Sequence, residues 1–200
     1  MLTAKGVFNV DSDRPNRSDR IFVDTNVWLT FTYSTASIRG SRAAQSYSQY
    51  LKACIRAGAS LFYSPLTFSE LAHNIEKFVC DTYNKSHPGL ECSPKQFRTG
   101  TGTRADVTDE VKDAWNQVKS MALHLSTPID ASAMANAEEI FEKCPVDGYD
   151  AFFINAMEQA GIDCILTDDA DFLHVPNLKV FTANERALRE AGLYKKLKTR

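Results

Sequence analysis

Two short apolar runs, Ile21-Phe22-Val23 and Cys164-Ile165-Leu166, stop abruptly at acids: Asp24 after the first, and Asp168, Asp169 and Asp171 just beyond the second. A β-rich run without polar alternation is what a strand covered on both faces requires, and such strands belong to parallel sheets. Leu61-Phe62-Tyr63 and Leu178-Lys179-Val180-Phe181 are two further candidates. Helical periodicity fills the intervals. Ala44, Tyr47, Leu51, Cys54 and Ile55 share a helical face, and Gly58 follows where a left-handed C-cap residue is expected. Ser64-Pro65 pairs an N-cap with a proline at the first helical position, which places Glu70 in an early turn. Val107, Val111, Ala114, Val118, Ala122 and Leu125 predict an amphipathic helix, and Met134, Ala137, Ile140 and Phe141 a shorter one ended by Cys144-Pro145. Asp147 reads as the N-cap of a helix carrying Asp150, Ala151, Ile154 and Met157, with Gly161 closing it. A final helix runs through Ala187, Leu188 and Leu193. Strands alternating with helices predict an α/β fold of three layers around a central parallel sheet.

The chain has 200 residues, of which 44% are hydrophobic, enough for one domain with a proper core and no need of metal staples or disulfides. Charged residues interrupt every apolar run well short of the roughly 18 residues that a membrane helix needs. The N-terminal residues lack the apolar block of a secretory signal, so a cytoplasmic protein without membrane association is expected. Five cysteines at irregular spacing, with no C-x-x-C pair, are read as reduced thiols. A net charge of -2 gives no global attraction to nucleic acid, so polyanion binding requires a local patch. Residues 1–19 carry no periodicity and are expected to form a flexible arm, with the domain proper at 20–200. The pattern degrades again from Cys80 to Arg104, including Thr99-Gly100-Thr101-Gly102-Thr103, which predicts a long loop. The enlarged stretch around 80–130 is expected to be a helical insertion.

In an open parallel sheet, ligands bind beyond the carboxyl ends of the strands, where Asp24 and the Asp168, Asp169 and Asp171 segment are predicted to lie. Glu70 and Asp150, in the opening turns of flanking helices, can reach the same crevice. Crowded carboxylates repel, and their pKa values rise unless a cation neutralises them. Oxygen ligands select a hard ion, Mg²⁺ or Mn²⁺. Such a site suits phosphodiester hydrolysis, in which metal activates water and no protein nucleophile is required. Asn26 and Thr167 are supporting candidates, placed to orient a carboxylate or water. Phosphatases of the haloacid type need a second Asp two positions after the first, where this chain has Asn26. His73, His87, His124 and His174 show no metal-ligand spacing.

Residues 20–29, RIFVDTNVWL, resemble the opening of PIN-domain ribonucleases. Residues 64–72, SPLTFSELA, are similar to that family's second segment, with Glu70 as its acid; Asp150-Ala151 is similar to the third, and residues 166–172, LTDDADF, to the last. The resemblance implies a PIN-like fold and a metal-dependent endoribonuclease acting on single-stranded or structured RNA and leaving a 5′-phosphate and a 3′-hydroxyl. It further implies Asp24, Glu70, Asp150 and Asp169 as the catalytic acids. Metal would be held by Asp24, Asp150 and Asp169, with Asp171 and Asp168 next. It implies a VapC-type toxin with an antitoxin protein as partner, and a homodimer. Two alternatives stay open: a structure-specific DNA nuclease, and a non-catalytic scaffold that binds RNA or protein. Lys95, Arg98 and Arg104 are the candidate RNA contacts beside the acidic pocket.

Overall fold

The computed structural model of the chain describes residues 2–33, 41–100 and 104–200. Its strands are β1 (Gly6–Asn9), β2 (Arg20–Val23), β3 (Ser60–Tyr63), β4 (Leu123–His124), β5 (Cys164–Leu166), β6 (Lys179–Thr182) and β7 (Leu197–Lys198). Its helices are α1 (Thr25–Thr32), α2 (Arg42–Ala57), α3 (Pro65–Ser86), α4 (Pro94–Gly100), α5 (Arg104–Met121), α6 (Ala131–Lys143), α7 (Gly148–Gln159) and α8 (Glu185–Leu193), with a 3₁₀ turn over Asp171–His174. The strands form one sheet in the order β4-β3-β2-β5-β6-β1-β7, and every pairing is parallel.

Alternate strand residues feed two cores, which explains why the runs carry no polar positions. Phe22, Phe62, Ile165 and Val180 pack on one face with α6, α7 and α8 through Ala137, Phe153, Ile154, Met157, Ala187 and Ala191. Ile21, Val23, Leu61, Leu166 and Phe181 pack on the other with α1, α2 and α5 through Val27, Trp28, Tyr47, Leu51 and Val118. The three-layer α/β/α arrangement is thus the one the sequence predicts. Its punctuation also agrees. Gly58 has φ +75° and Gly161 φ +65°, values that glycine adopts without strain, and the Asp147 carboxylate accepts the Asp150 amide at 2.9 Å.

Four expectations need correcting. Residues 1–19 are no loose arm: Gly6–Asn9 is a sheet strand between β6 and β7, with Ala4 and Val7 fully buried. The stretch from Cys80 to Arg104 is largely helical, because α3 continues to Ser86 and α4 follows. Leu71, Ile75 and Cys80 of α3, Phe97 of α4, and Val107, Val111 and Ala114 of α5 make a third, smaller core. The Asn84 amide group ties the connection down, donating to the Cys92 carbonyl at 2.9 Å and accepting the Cys92 amide at 3.0 Å. Thr101, Gly102 and Thr103 of the predicted flexible run lie outside the described residues. The helix predicted to reach Leu125 ends at Met121, since Leu123 and His124 pair with Phe62 and Tyr63 as an edge strand. In α6 the buried stripe is Ala133 and Ala137, while Met134 and Phe141 are exposed.

Candidate active site

The order in which strands are added reverses between β2 and β5, which run parallel. From β2 the chain steps outward to β3 and β4, then returns to place β5 on the other flank of β2. Crevices at such switch points are where open α/β sheets bind ligands. Val23 pairs with Leu166, and the Asp24 amide donates to the Leu166 carbonyl at 3.0 Å. The register therefore sets Asp24 and Thr167 side by side at the carboxyl edge.

Asp24 occupies the N-cap position of α1, yet its carboxylate caps nothing. Instead Asp24 Oδ2 accepts the Thr167 hydroxyl at 2.6 Å and the Asn26 amide Nδ2 at 2.6 Å. Asn26 Oδ1 accepts the Asp168 amide at 3.1 Å, and Thr167 Oγ1 accepts the Asp169 amide at 2.8 Å. Asn26 and Thr167 thus lock the end of β2 to the turn after β5. The Thr25 hydroxyl donates to Glu70 Oε2, which draws α3 onto the same crevice. Asp150 reaches it from the first turn of α7.

Electrostatics show how these acids converge. Asp24 and Asp150 are buried, at 5% and 8% exposure. Burial first, then the neighbouring charges of Asp24, Asp147 and Asp169, push the Asp150 carboxyl up to about 8. Burial, eased by the Thr25 hydroxyl and reinforced by the charges of Asp24 and Asp147, raises Glu70 to about 7. Asp24 rises to about 6, again chiefly by burial and with Asp169 adding repulsion. Asp171 shifts in the same direction, through burial and the charge of Asp169, while His174 and Arg186 draw it back. Asp24, Glu70, Asp150 and Asp169 therefore share one field, with Asp171 at its margin. Asp168 lines one cleft with Asn26, Asp169 and Asp171, and its carboxylate accepts the Tyr47 hydroxyl at 2.7 Å.

The donor set of the crevice is carboxylate oxygen throughout, with negative charge in excess, and that chemistry fits a hard divalent cation. Among the described residues, no three acid, histidine or cysteine side chains are gathered tightly enough to form a ready-made cage. An ion that keeps several waters needs only one or two direct carboxylates, so the separated acids remain compatible with Mg²⁺ or Mn²⁺.

The raised carboxyls carry a consequence for stability. Each is held above its ordinary value, so each favours the folded state most at low pH, where it is protonated, and that contribution is lost as pH rises through about 6 to 8. In chelator, the melting temperature should fall across this interval and recover on addition of Mn²⁺. A melting temperature that climbs from pH 6 to 8 without metal would contradict the coupled-acid description.

Two contributors escaped sequence reading. Asp147 was legible only as a cap, although its charge acts on Asp150, Glu70 and Asp171. Its position three residues before Asp150, in the same helical turn, was the available signal. Thr25 lay inside the Asp24-Thr25-Asn26 triplet with no partner in view. Two of the basic candidates pair with a buried acid. Arg98 grips the buried Glu76 through two hydrogen bonds, the Nε contact at 2.7 Å, and Arg104 adds a third at 3.2 Å. Both residues thereby tie α4 and α5 to α3, and their side chains remain about half exposed, at 49% and 56%. Lys95 is exposed. Trp28 is fully buried, and Trp115 packs edge-on against Tyr63 and Phe68.

Comparison with known proteins agrees with this geometry. No curated protein matches the chain. Among solved structures, a chain of VapBC2 from Rickettsia felis, determined bound to a DNA fragment from their promoter, superposes with a TM-score of 0.50 at 10% identity, covering 80% of this chain and 96% of that one. The likeness is one of fold. The family model for the PIN domain matches residues 21–178, a span that begins in β2, takes in Asp24, Glu70, Asp150 and Asp169, and stops just before β6. On that match the chain belongs to the PIN-domain family, whose members are generally nucleases.

Proposed function

We propose that this protein is a metal-dependent endoribonuclease that hydrolyses phosphodiester bonds with Mg²⁺ or Mn²⁺. The observation that carries the reading is the meeting of Asp24, Glu70, Asp150 and Asp169, drawn from β2, α3, α7 and the turn after β5, at the switch point of a parallel sheet. A purely structural role gives no reason to crowd buried carboxylates that raise one another's pKa values. Asp24, Asp150 and Asp169 hold the ion, with Asp171 at the edge, and Glu70 orients the attacking water. Asn26 and Thr167 fix the Asp24 carboxylate. A cation held by these residues would supply Lewis-acid chemistry, lowering the pKa of a bound water and offsetting phosphate charge. Because Glu70 sits near neutrality, it can accept a proton at physiological pH. Lys95 and the outward edges of Arg98 and Arg104 are the proposed phosphate contacts.

The fold likeness to a VapBC2 chain supports a toxin restrained by an antitoxin partner. A cytoplasmic location suits that role, and no helix among the described residues is long and apolar enough to cross a membrane. The test is cleavage of end-labelled single-stranded RNA and single-stranded DNA by purified protein with Mn²⁺, with and without chelator. RNA cleavage that requires the metal and leaves 5′-phosphate ends is expected. Equal cutting of DNA would favour a DNA nuclease, and cleavage that survives chelation would overturn the proposal.

A further inference from the structure

Beyond the acids themselves, the turn that carries Asp169 is held by hydrogen bonds from several elements, and one buried residue of α2 takes part. Tyr47, in the middle of α2, is 2% exposed. Its hydroxyl lies 2.7 Å from Asp168 Oδ1, 3.1 Å from the Thr167 carbonyl, 3.0 Å from Thr182 Oγ1 and 3.0 Å from the Ala183 amide. A phenol has one proton to give and can accept from two donors. The Ala183 N–H fills one acceptor position, and of the oxygens that can take the phenol proton Asp168 Oδ1 is the nearest and the only charged one, at the length of a charge-assisted bond. Burial drives the Tyr47 pKa far above its ordinary value, so the phenol is a permanent donor.

Asp168 is consequently pinned at three points. Its amide donates to Asn26 Oδ1 at 3.1 Å, its carbonyl accepts Asn184 Nδ2 at 2.6 Å, and its carboxylate accepts the Tyr47 hydroxyl. The next residue, Asp169, is then turned toward Asp24 with its amide on Thr167 Oγ1. Asp169, and not Asp168, is the neighbour that repels Asp24 and Asp150.

We propose that Tyr47 is a positioning residue for the acidic turn, and that Asp168 serves as the anchor it grips and not as a metal ligand. This rests on the metal-dependent reading above and deepens it: consecutive acids in one turn divide the labour, one for the cation and one for the scaffold. Outer partners of metal ligands typically govern affinity by 10-fold to 100-fold.

The test is calorimetric titration of Mn²⁺ into wild type and the variants Tyr47→Phe, Asp168→Asn, Asp169→Asn and Tyr50→Phe, each checked for folding by thermal melt. Tyr50 sits one turn along the same helix, and its hydroxyl donates to Asp13, away from the acids. It reports general damage to α2. Tyr47→Phe should weaken Mn²⁺ binding about 10-fold, whereas Tyr50→Phe should lower stability and leave affinity alone. Asp168→Asn, whose amide oxygen can still accept the Tyr47 hydroxyl, should stay within about 3-fold of wild type, below the range for loss of a ligand's partner. Asp169→Asn should abolish binding. Equal affinities for wild type and Tyr47→Phe, or equal losses for Tyr47→Phe and Tyr50→Phe, would overturn the positioning role. A loss in Asp168→Asn as large as that in Asp169→Asn would make Asp168 a ligand and overturn the division of labour, even if Tyr47→Phe fails to fold. A wild type that binds no Mn²⁺ would instead remove the metal-dependent reading, and this inference with it.

Discussion

Asp24→Asn is expected to lower metal-dependent RNA cleavage by more than about 100-fold, the upper end of the cost when only an outer partner of a metal ligand is lost. Asn keeps the shape and can still accept the Thr167 hydroxyl and the Asn26 amide, which bond Asp24 Oδ2 at 2.6 Å each. What disappears is the charge. In the metal-free protein that charge is a burden, since burial and Asp169 lift the Asp24 carboxyl to about 6. The same variant should therefore melt at or above the wild-type temperature in chelator, with a gain of about 0.5–2 kcal/mol, the usual yield when a site strained for activity is relieved. Loss of activity with gain of stability separates a functional acid from a structural one. An Asp24→Asn protein that still cleaves RNA, or one that unfolds, would show that Asp24 serves the fold.

The second large effect lies far from the site. Arg200 forms paired contacts with each of two buried carboxylates: Asp13 through Nε at 2.7 Å and Nη2 at 2.9 Å, and Asp19 through Nη1 at 2.7 Å and Nη2 at 2.8 Å. Tyr50 donates to Asp13 at 2.5 Å, and the guanidinium carbon lies 4.7 Å from the ring centre of Phe181 and 5.8 Å from that of Phe8. Asp13 and Asp19 are 5% and 8% exposed. Truncating Arg200 to Ala leaves both without their shared cation, and breaking buried pairs of this kind costs about 3–5 kcal/mol. In a chain of this size that corresponds to a fall in melting temperature of roughly 10 °C. Lysine should rescue little, because an ammonium cannot present the planar fork that both carboxylates use. A fall of less than about 3 °C would mean that the segment before β2 is held by its strand pairing and apolar contacts alone.

That network also explains which parts of the fold were legible in the sequence. Ile21-Phe22-Val23, Leu61-Phe62-Tyr63 and Cys164-Ile165-Leu166 read as strands because burial on both faces leaves no room for polar residues. The Gly6–Asn9 strand has no such signature: it is short, follows a lysine and precedes a polar stretch, and its surroundings are secured by Arg200 from the other end of the sequence. Edge strands β4 and β7 span two residues each and match no period. The far half of α3 looked irregular because exposed Thr82, Lys85 and Ser86 crowd around Cys80 and Tyr83, which pack into the third core.

The acids were readable for a related reason. Asp24 and Asp169 follow apolar strands, and Glu70 and Asp150 open helices behind recognisable caps, so position alone singled them out. Thr25 and Tyr47 owe their parts to what the fold sets opposite them, and nothing adjacent in the sequence announces it; only Asp147 carried a local signal, its spacing to Asp150. The pairing of Arg98 and Arg104 with Glu76 was hidden in the same way, because Glu76 lies on another helix and its burial is a tertiary fact.

The central claim is that buried carboxylates at the switch point share protons until a cation displaces them. With Glu70 near 7 and Asp150 near 8, the metal-free crevice holds protons at neutral pH that ionised ligands must give up. Titrating Mn²⁺ into the protein at pH 7 in two buffers of different ionisation enthalpy measures that exchange directly. Binding should release about one proton per protein, and the release should fall by more than about half in Asp150→Asn, leaving the smaller share held by Glu70. Mn²⁺ binding with no proton release, or release unchanged in that variant, would contradict the claim.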